Sequence, residues 1–146
     1  EELENVGLLK RKKKKKNIRK KENSRIRHYI YKNHDIYVGK NNKQNDELTF
    51  KKANKDDFFL HAKGVPGAHV ILRSDKNPDD HIKYVAAWLA AVHSSESNSN
   101  IVQVDITEKK NVNKAKGAQA GMVYYTNYET IDVDTSDSFD FDNEEK

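Results

Sequence analysis

Apolar residues in this chain occur in short runs with a two-residue period, and this pattern limits the possible fold more than any other feature. Ile26, His28 and Ile30 alternate with Arg27 and two tyrosines, a composition typical of a β-strand. Six further runs are equally short and end at polar or glycine-containing segments. The pattern predicts seven strands, at 26–31, 36–38, 57–60, 69–72, 101–106, 122–126 and 130–133.

One segment has a helical period instead. Residues 78–94 carry apolar side chains three and four positions apart, from Ile82 to Val92, and begin with Pro78 and two aspartates that suit a helix N-terminus. Asn77 is the expected cap. A shorter helix is predicted over 44–53. The fold class is therefore α+β, with a mainly antiparallel sheet packed by one long helix and a short second helix.

The predicted connections are short hairpins. Residues 32–35 form a polar turn between the first two strands. In the connection 63–68, Pro66 fixes φ and Gly67 tolerates a positive φ, which is the type II turn pattern. The last two strands are predicted to be joined by residues 127–129.

Charge divides the chain into three parts. Residues 1–27 carry 12 basic and 4 acidic groups, whereas 132–146 carry 1 basic and 7 acidic groups. A run such as 10–16 repels itself too strongly to pack. We expect the end of a coiled-coil helix and a lysine-rich linker at 1–23, a folded domain at 24–133 and a disordered acidic tail at 134–146. Since the chain starts at Glu1 and not at Met, we expect it to be part of a longer protein.

Catalytic and metal-binding patterns are weak. The chain has no cysteine, which excludes disulfides and thiolate zinc sites, and no stretch long and apolar enough for a bilayer or a signal peptide. His61 and His69 could face each other beside Asp57 as a metal site, and Glu108 and Lys110 form half of a metal-nuclease motif. We expect neither to act, so no enzyme, cofactor or metal is predicted, and the protein should be cytoplasmic.

Lysines interleaved with tyrosines favour nucleic-acid binding instead. Lysine-rich surfaces bind polyanions through counterion release, and exposed aromatic rings stack on unpaired bases. Tyr29, Tyr31 and Tyr37 lie near basic residues in the first hairpin, although simple sheet packing would also explain them. A basic connection follows at 109–116.

Three motifs resemble the RNA-binding domain of the NFACT family. They are Val38 to Thr49, Asp56 to Ile71, and Val104 to Thr107 with Gly117 to Val123, in the family's order. The resemblance covers 26–133 and is strongest to the bacterial branch, which was long described as fibronectin-binding. It implies a factor of ribosome quality control that binds the obstructed large ribosomal subunit and tRNA and supports C-terminal alanine tailing of stalled chains. It also implies an N-terminal NFACT domain and a coiled coil in the parent chain.

Fibronectin binding, as in an adhesin, is the competing interpretation, and a metal-dependent nuclease is the third. We expect RNA to contact the polar loop 40–46 and the hairpin tip 63–69, which lie within the matched motifs, together with the basic arm and the basic connection. The predicted RNA-binding residues are Lys40, Asn41, Asn42, Lys43, Gln44, Asn45, Asp46, His61, Lys63, His69, Lys109, Lys110, Lys114 and Lys116.

Overall fold

A computed structural model of the chain describes residues 25–143. The predicted arm at 1–23, and residues 144–146 of the predicted tail, lie outside this range. The described part contains eight strands, two α-helices, a π-helical turn at Leu48–Lys52 and a 3₁₀ turn at Lys109–Asn111. The elements are β1 (Arg27–Tyr31), β2 (His34–Val38), α1 (Asn42–Glu47), β3 (Phe58–Ala62), β4 (Val70–Leu72), α2 (Asp80–Val92), β5 (Ile101–Glu108), β6 (Val112–Lys114), β7 (Val123–Tyr125) and β8 (Glu129–Asp134).

Six strands form one sheet in the order β1-β2-β4-β3-β5-β8, and all neighbours are antiparallel. Along each strand the side chains alternate between the two faces of the sheet. Leu60 lies opposite Val70 and Ile106 on one face, whereas Phe59 lies opposite Ile71 and Thr107 on the other. The predicted α+β class with a mainly antiparallel sheet is confirmed.

Helix α2 covers the first face. Its stripe of Ile82, Val85 and Leu89 is buried against the sheet, together with alanines that allow close packing. The cap is Asp79, whose Oδ1 accepts from the Ile82 backbone N–H, and not Asn77, so the helix is shorter than the predicted 78–94. No helix among residues 25–143 has the length and apolarity needed to cross a membrane.

The second face is covered by α1, the π-helical turn and a separate two-stranded sheet of β6 and β7. Leu48 and Val112 from these elements pack on Phe59 and Ile71 of the large sheet in a second buried cluster. The large sheet is therefore buried on both faces, and the molecule has three layers.

The strand count differs from the prediction, and the last two strands belong to different sheets. Strand β6 was not predicted, and β7 pairs with β6 while β8 pairs with β5. Only Val112 of β6 is buried, so this strand has no alternating pattern to detect. The last two strands are joined close to the predicted 127–129, but they do not pair with each other.

The predicted type II turn at Pro66 and Gly67 is also wrong. The positive φ of this connection is at Gly64, at 68°. Gly67 instead allows a close approach to the end of α2, because a Cβ on it would lie 3.1 Å from the Cβ of Ser94.

The tail differs from the expected disorder between residues 134 and 143. Phe139 and Phe141 pack among the aromatic rings of β1 and α2, with Phe139 5.4 Å from the Trp88 ring centroid. The tail also follows the edge of β1, where the Asp142 backbone N–H donates to the Ile30 carbonyl at 2.7 Å. Aromatic anchors thus hold an acidic segment on the α2 side of the sheet.

Candidate nucleic-acid interface

The layer on the second face is strongly basic. We define the basic face as residues 40–55 and 109–126, which together carry nine lysines and two acidic residues. It contains most of the predicted RNA-binding residues. The structure assigns these residues to different tasks, and several of them hold the layer together.

The polar side chains of the loop 40–46 mainly cap α1 and form hydrogen bonds within the domain. Asn41 caps α1 by accepting from the Gln44 backbone N–H at 2.9 Å, and both Gln44 and Asn45 are buried. Asn45 Oδ1 accepts from the His69 backbone N–H at 3.0 Å. Glycine is required at position 39, because a Cβ there would lie 2.0 Å from Asn45 Oδ1. Gln44 and Asn45 therefore expose little surface, and their part in RNA binding stays a prediction.

Asp46 ties the connection 115–122 to α1. It accepts from the Gly121 backbone N–H at 2.9 Å and from Lys114 Nζ at 2.6 Å. Partial burial opposes ionisation, but these two hydrogen bonds outweigh it and lower the pKa of the Asp46 carboxyl. Asp46 and Lys114 thus neutralise each other. The exposed groups of this region include Lys40, Lys43 and Lys116, together with Asn41 and Asn42.

His61 and His69 face each other as predicted, with ring centroids 5.6 Å apart. His69 is fully buried, its Nδ1 pairs with Thr49 Oγ1, and its Nε2 pairs with the Gly121 carbonyl oxygen. Burial, helped by the neighbouring His61, lowers the pKa of His69 to about 4, and burial also lowers the pKa of His61. Both rings are neutral near pH 7, so His69 is a core residue and neither ring supplies positive charge for RNA.

Lys63 lies over a buried carboxylate. Its Nζ donates to Asp105 Oδ1 at 3.3 Å and lies 4.6 Å from the centroid of the exposed Tyr128 ring. Asp105, 3% exposed, also accepts from Tyr125 OH at 2.6 Å and from Thr130 Oγ1 at 2.8 Å. Three donors compensate this charge, so Lys63 has a structural partner besides any RNA.

The other basic residues lie toward the opposite end of the sheet. Lys109 and Lys110 follow β5, and their backbone N–H groups donate to the Asp57 and Lys55 carbonyls. Lys109 Nζ lies 5.8 Å from the Phe50 ring centroid, and Lys110 Nζ lies 3.6 Å from Glu108. The structure therefore separates Lys109 and Lys110 from the cluster around α1 and Lys114.

Two exposed side chains were not among the predicted RNA-binding residues: Met122, just before β7, and Tyr124 within it. Met122 and Tyr124 are 60% and 55% exposed, while Val123 and Tyr125 between and after them pack inward. Tyr124 lies opposite Asn113 on the outer side of the hairpin. The alternation over 122–126 was visible in the sequence, but the outward direction depends on the pairing with β6.

The metal alternatives receive no support from the geometry. Asp57 is held by Arg73 Nη1 at 2.9 Å and by the Ser74 backbone N–H, away from the histidine pair. Within residues 25–143 no group of three or more histidine or acidic side chains could hold a metal ion.

A three-layer α+β domain with one lysine-rich layer is the kind of scaffold that suits RNA. Residues 26–127 match the family model described as the NFACT protein RNA binding domain, and the chain belongs to this family.

The relatives carry one name. The Rqc2 homolog RqcH of Streptococcus pneumoniae serotype 2 is 42% identical over 140 residues, which is 94% of this chain and 25% of that protein. The Rqc2 homolog RqcH of Bacillus subtilis is 44% identical over 98 residues, or 67% of this chain and 17% of that protein. This chain thus spans about a quarter or less of the length of these relatives.

A solved structure has the same fold. It is the C-terminal part of the fibronectin/fibrinogen-binding protein from Streptococcus suis, with a TM-score of 0.73 and 42% sequence identity. The match covers 77% of this chain and 46% of that one.

Proposed function

We propose that this domain binds RNA through its basic face and has no catalytic activity of its own. The observation that carries the proposal is the separation of charge. The basic face holds nine lysines against two acids, whereas the segment 134–143, anchored on the α2 side, holds four acids and no lysine or arginine. Exposed Tyr124 adds a ring on which an unpaired base could stack.

The finer proposal concerns the parent protein. Relatives named Rqc2 homolog RqcH support a role in ribosome quality control, in which the domain contacts tRNA or the large ribosomal subunit. The parent would act in the cytoplasm and support alanine tailing of stalled chains. Tailing would require the N-terminal NFACT domain and the coiled coil, so this domain supplies binding only.

Binding of tRNA at increasing salt tests the proposal. We expect measurable affinity at low salt and a steep decrease as salt rises, because lysine contacts release counterions. Replacing Lys43 and Lys116 with glutamine should weaken binding, since neither is ion-paired with a described residue. Lys76→Gln, an exposed lysine in the loop before α2, is the matched control. Undetectable binding at low salt would refute the proposal.

Fibronectin binding is the second candidate, and the name of the Streptococcus suis structure favours it. A protein ligand would not require the steep salt dependence that RNA does. Measuring both affinities at physiological salt separates the two. Tighter binding of fibronectin than of tRNA, unchanged by Lys43→Gln, would favour the second candidate.

A further inference from the structure

A cleft opens at one end of the large sheet, between the predicted RNA-binding loop 40–46 and three residues that were not predicted to bind RNA, Arg27, His93 and Ser95. It lies where β1 begins, where the chain turns from β2 into α1, and where α2 ends, and its volume is about 340 Å³. Its basic side chains are Arg27, Lys40 and His93, and its lining includes no aspartate or glutamate.

The walls of this cleft are held by backbone contacts. The Ala68 N–H donates to the His93 carbonyl and the Ser95 N–H donates to the Pro66 carbonyl, which joins the hairpin tip to the end of α2. Gly39 and Gly67 permit the close approaches on either side. The cleft is therefore a preformed concave site and not a gap between mobile side chains.

Arg27 is the unusual group in the cleft. It is half-buried, and no carboxylate or hydrogen-bond acceptor among residues 25–143 pairs with it. Its neighbour is His93, whose Nε2 lies 3.5 Å from Tyr29 OH. Burial and the charge of Arg27 lower the pKa of His93. Glu96, the acidic residue closest to His93 along the chain, accepts a hydrogen bond from Ser99 Oγ at 2.9 Å.

From this arrangement we infer that the cleft is a phosphate site that holds one backbone phosphate of bound RNA, with Arg27 as its principal ligand. A guanidinium presents a planar fork of donors that matches phosphate oxygens. The Asn41 and Asn42 amides in the lining supply further donors beside the phosphate.

This inference rests on the proposed RNA binding and extends it from the basic face to the end of the sheet. RNA binding of the whole chain is compared between Arg27→Gln and Arg25→Gln, which removes the same charge from an exposed residue outside the cleft. We expect Arg27→Gln to weaken binding about tenfold, with a salt slope less negative by about one. Equal effects of the two variants would overturn the site.

Titration with inorganic phosphate, followed by the amide NMR signals of Gly67 and Ala68, provides a readout without RNA. We expect saturable shifts in the wild-type chain that are absent in Arg27→Gln. Absence of shifts in the wild type would count against a phosphate site. Saturable shifts in a chain that binds no RNA would keep the site, make a free phosphate compound its ligand and refute the proposed RNA function.

Discussion

The two faces of the large sheet are covered by different kinds of residues. On one face, α2 buries a stripe of aliphatic side chains, and Phe139 and Phe141 hold an acidic segment beside it. On the other face, short elements are held by buried polar groups such as Asn45, His69 and Asp105. The comparison indicates that buried polar contacts, together with an apolar cluster smaller than the one under α2, secure the layer beneath the accessible lysines of the basic face.

Removal of the buried carboxylate should produce the largest effect. Asp105→Ala leaves Tyr125 OH and Thr130 Oγ1 without their acceptor and Lys63 without its partner. We expect a loss of about 3 kcal/mol in the free energy of unfolding, measured by denaturant titration. Asp132→Ala, an exposed aspartate on neighbouring β8, is the control and should change stability little. A loss below about 1 kcal/mol would show that polar contacts do not secure this face.

Low pH should lower the stability of the fold, because the buried His69 resists protonation. The pKa of His69 is lowered to about 4 in the folded chain, against 6.5 when unfolded, so below pH 6.5 the unfolded chain binds a proton that the folded chain does not. This stability is therefore complete above pH 6.5 and is lost as the pH falls toward 4.

Denaturant unfolding at pH 7 and pH 5 measures the contribution of His69. We expect the ionisation of His69 to lower the free energy of unfolding by about 2 kcal/mol from pH 7 to pH 5. His69→Gln should be less stable than the wild type at pH 7 but should lack this part of the pH dependence. An identical pH dependence in both chains would contradict the buried neutral histidine.

The α2 face should respond to loss of an aromatic anchor. Phe139→Ala removes a ring that packs on Tyr31, Tyr84 and Trp88, and we expect a loss of about 2 kcal/mol because the ring is only partly buried. Trp88 is the single tryptophan, so its fluorescence should shift as the tail loosens. Ser138→Ala is the control. Unchanged fluorescence and stability would mean that the tail is not anchored.

The smallest expected effect is that of the Asp46–Lys114 pair. Because the pKa of Asp46 is lowered, its contribution to stability is present above the ordinary carboxyl pKa of 3.8 and is lost as the pH falls through the lowered value. Asp46→Asn should reduce the free energy of unfolding by about 0.5 to 1 kcal/mol at pH 7, and this difference should shrink as the pH falls through the lowered pKa. A difference that does not change with pH would show that the charge of Asp46 contributes nothing to stability.

The sheet and α2 could be predicted from the sequence because their apolar periods are long enough to detect. Strand β6 could not, since it buries only Val112. The motif around 40–46 could be recognised in the sequence, but which of its residues are buried and which are exposed could not be predicted. Whether Asn45 or Asp46 faces solvent depends on His69 and Gly121, which are distant in sequence. The tail was misjudged because its charges suggested disorder, while two phenylalanines provide anchors.

Mapping bound RNA on the two faces tests the central claim most directly. Amide NMR signals of the whole chain would be followed while tRNA is added at low salt. We predict that the signals of 40–46 and 114–126 change first, and that those of 80–92 and 134–143 do not change. The reverse pattern, with changes confined to α2 and the tail, would contradict the account.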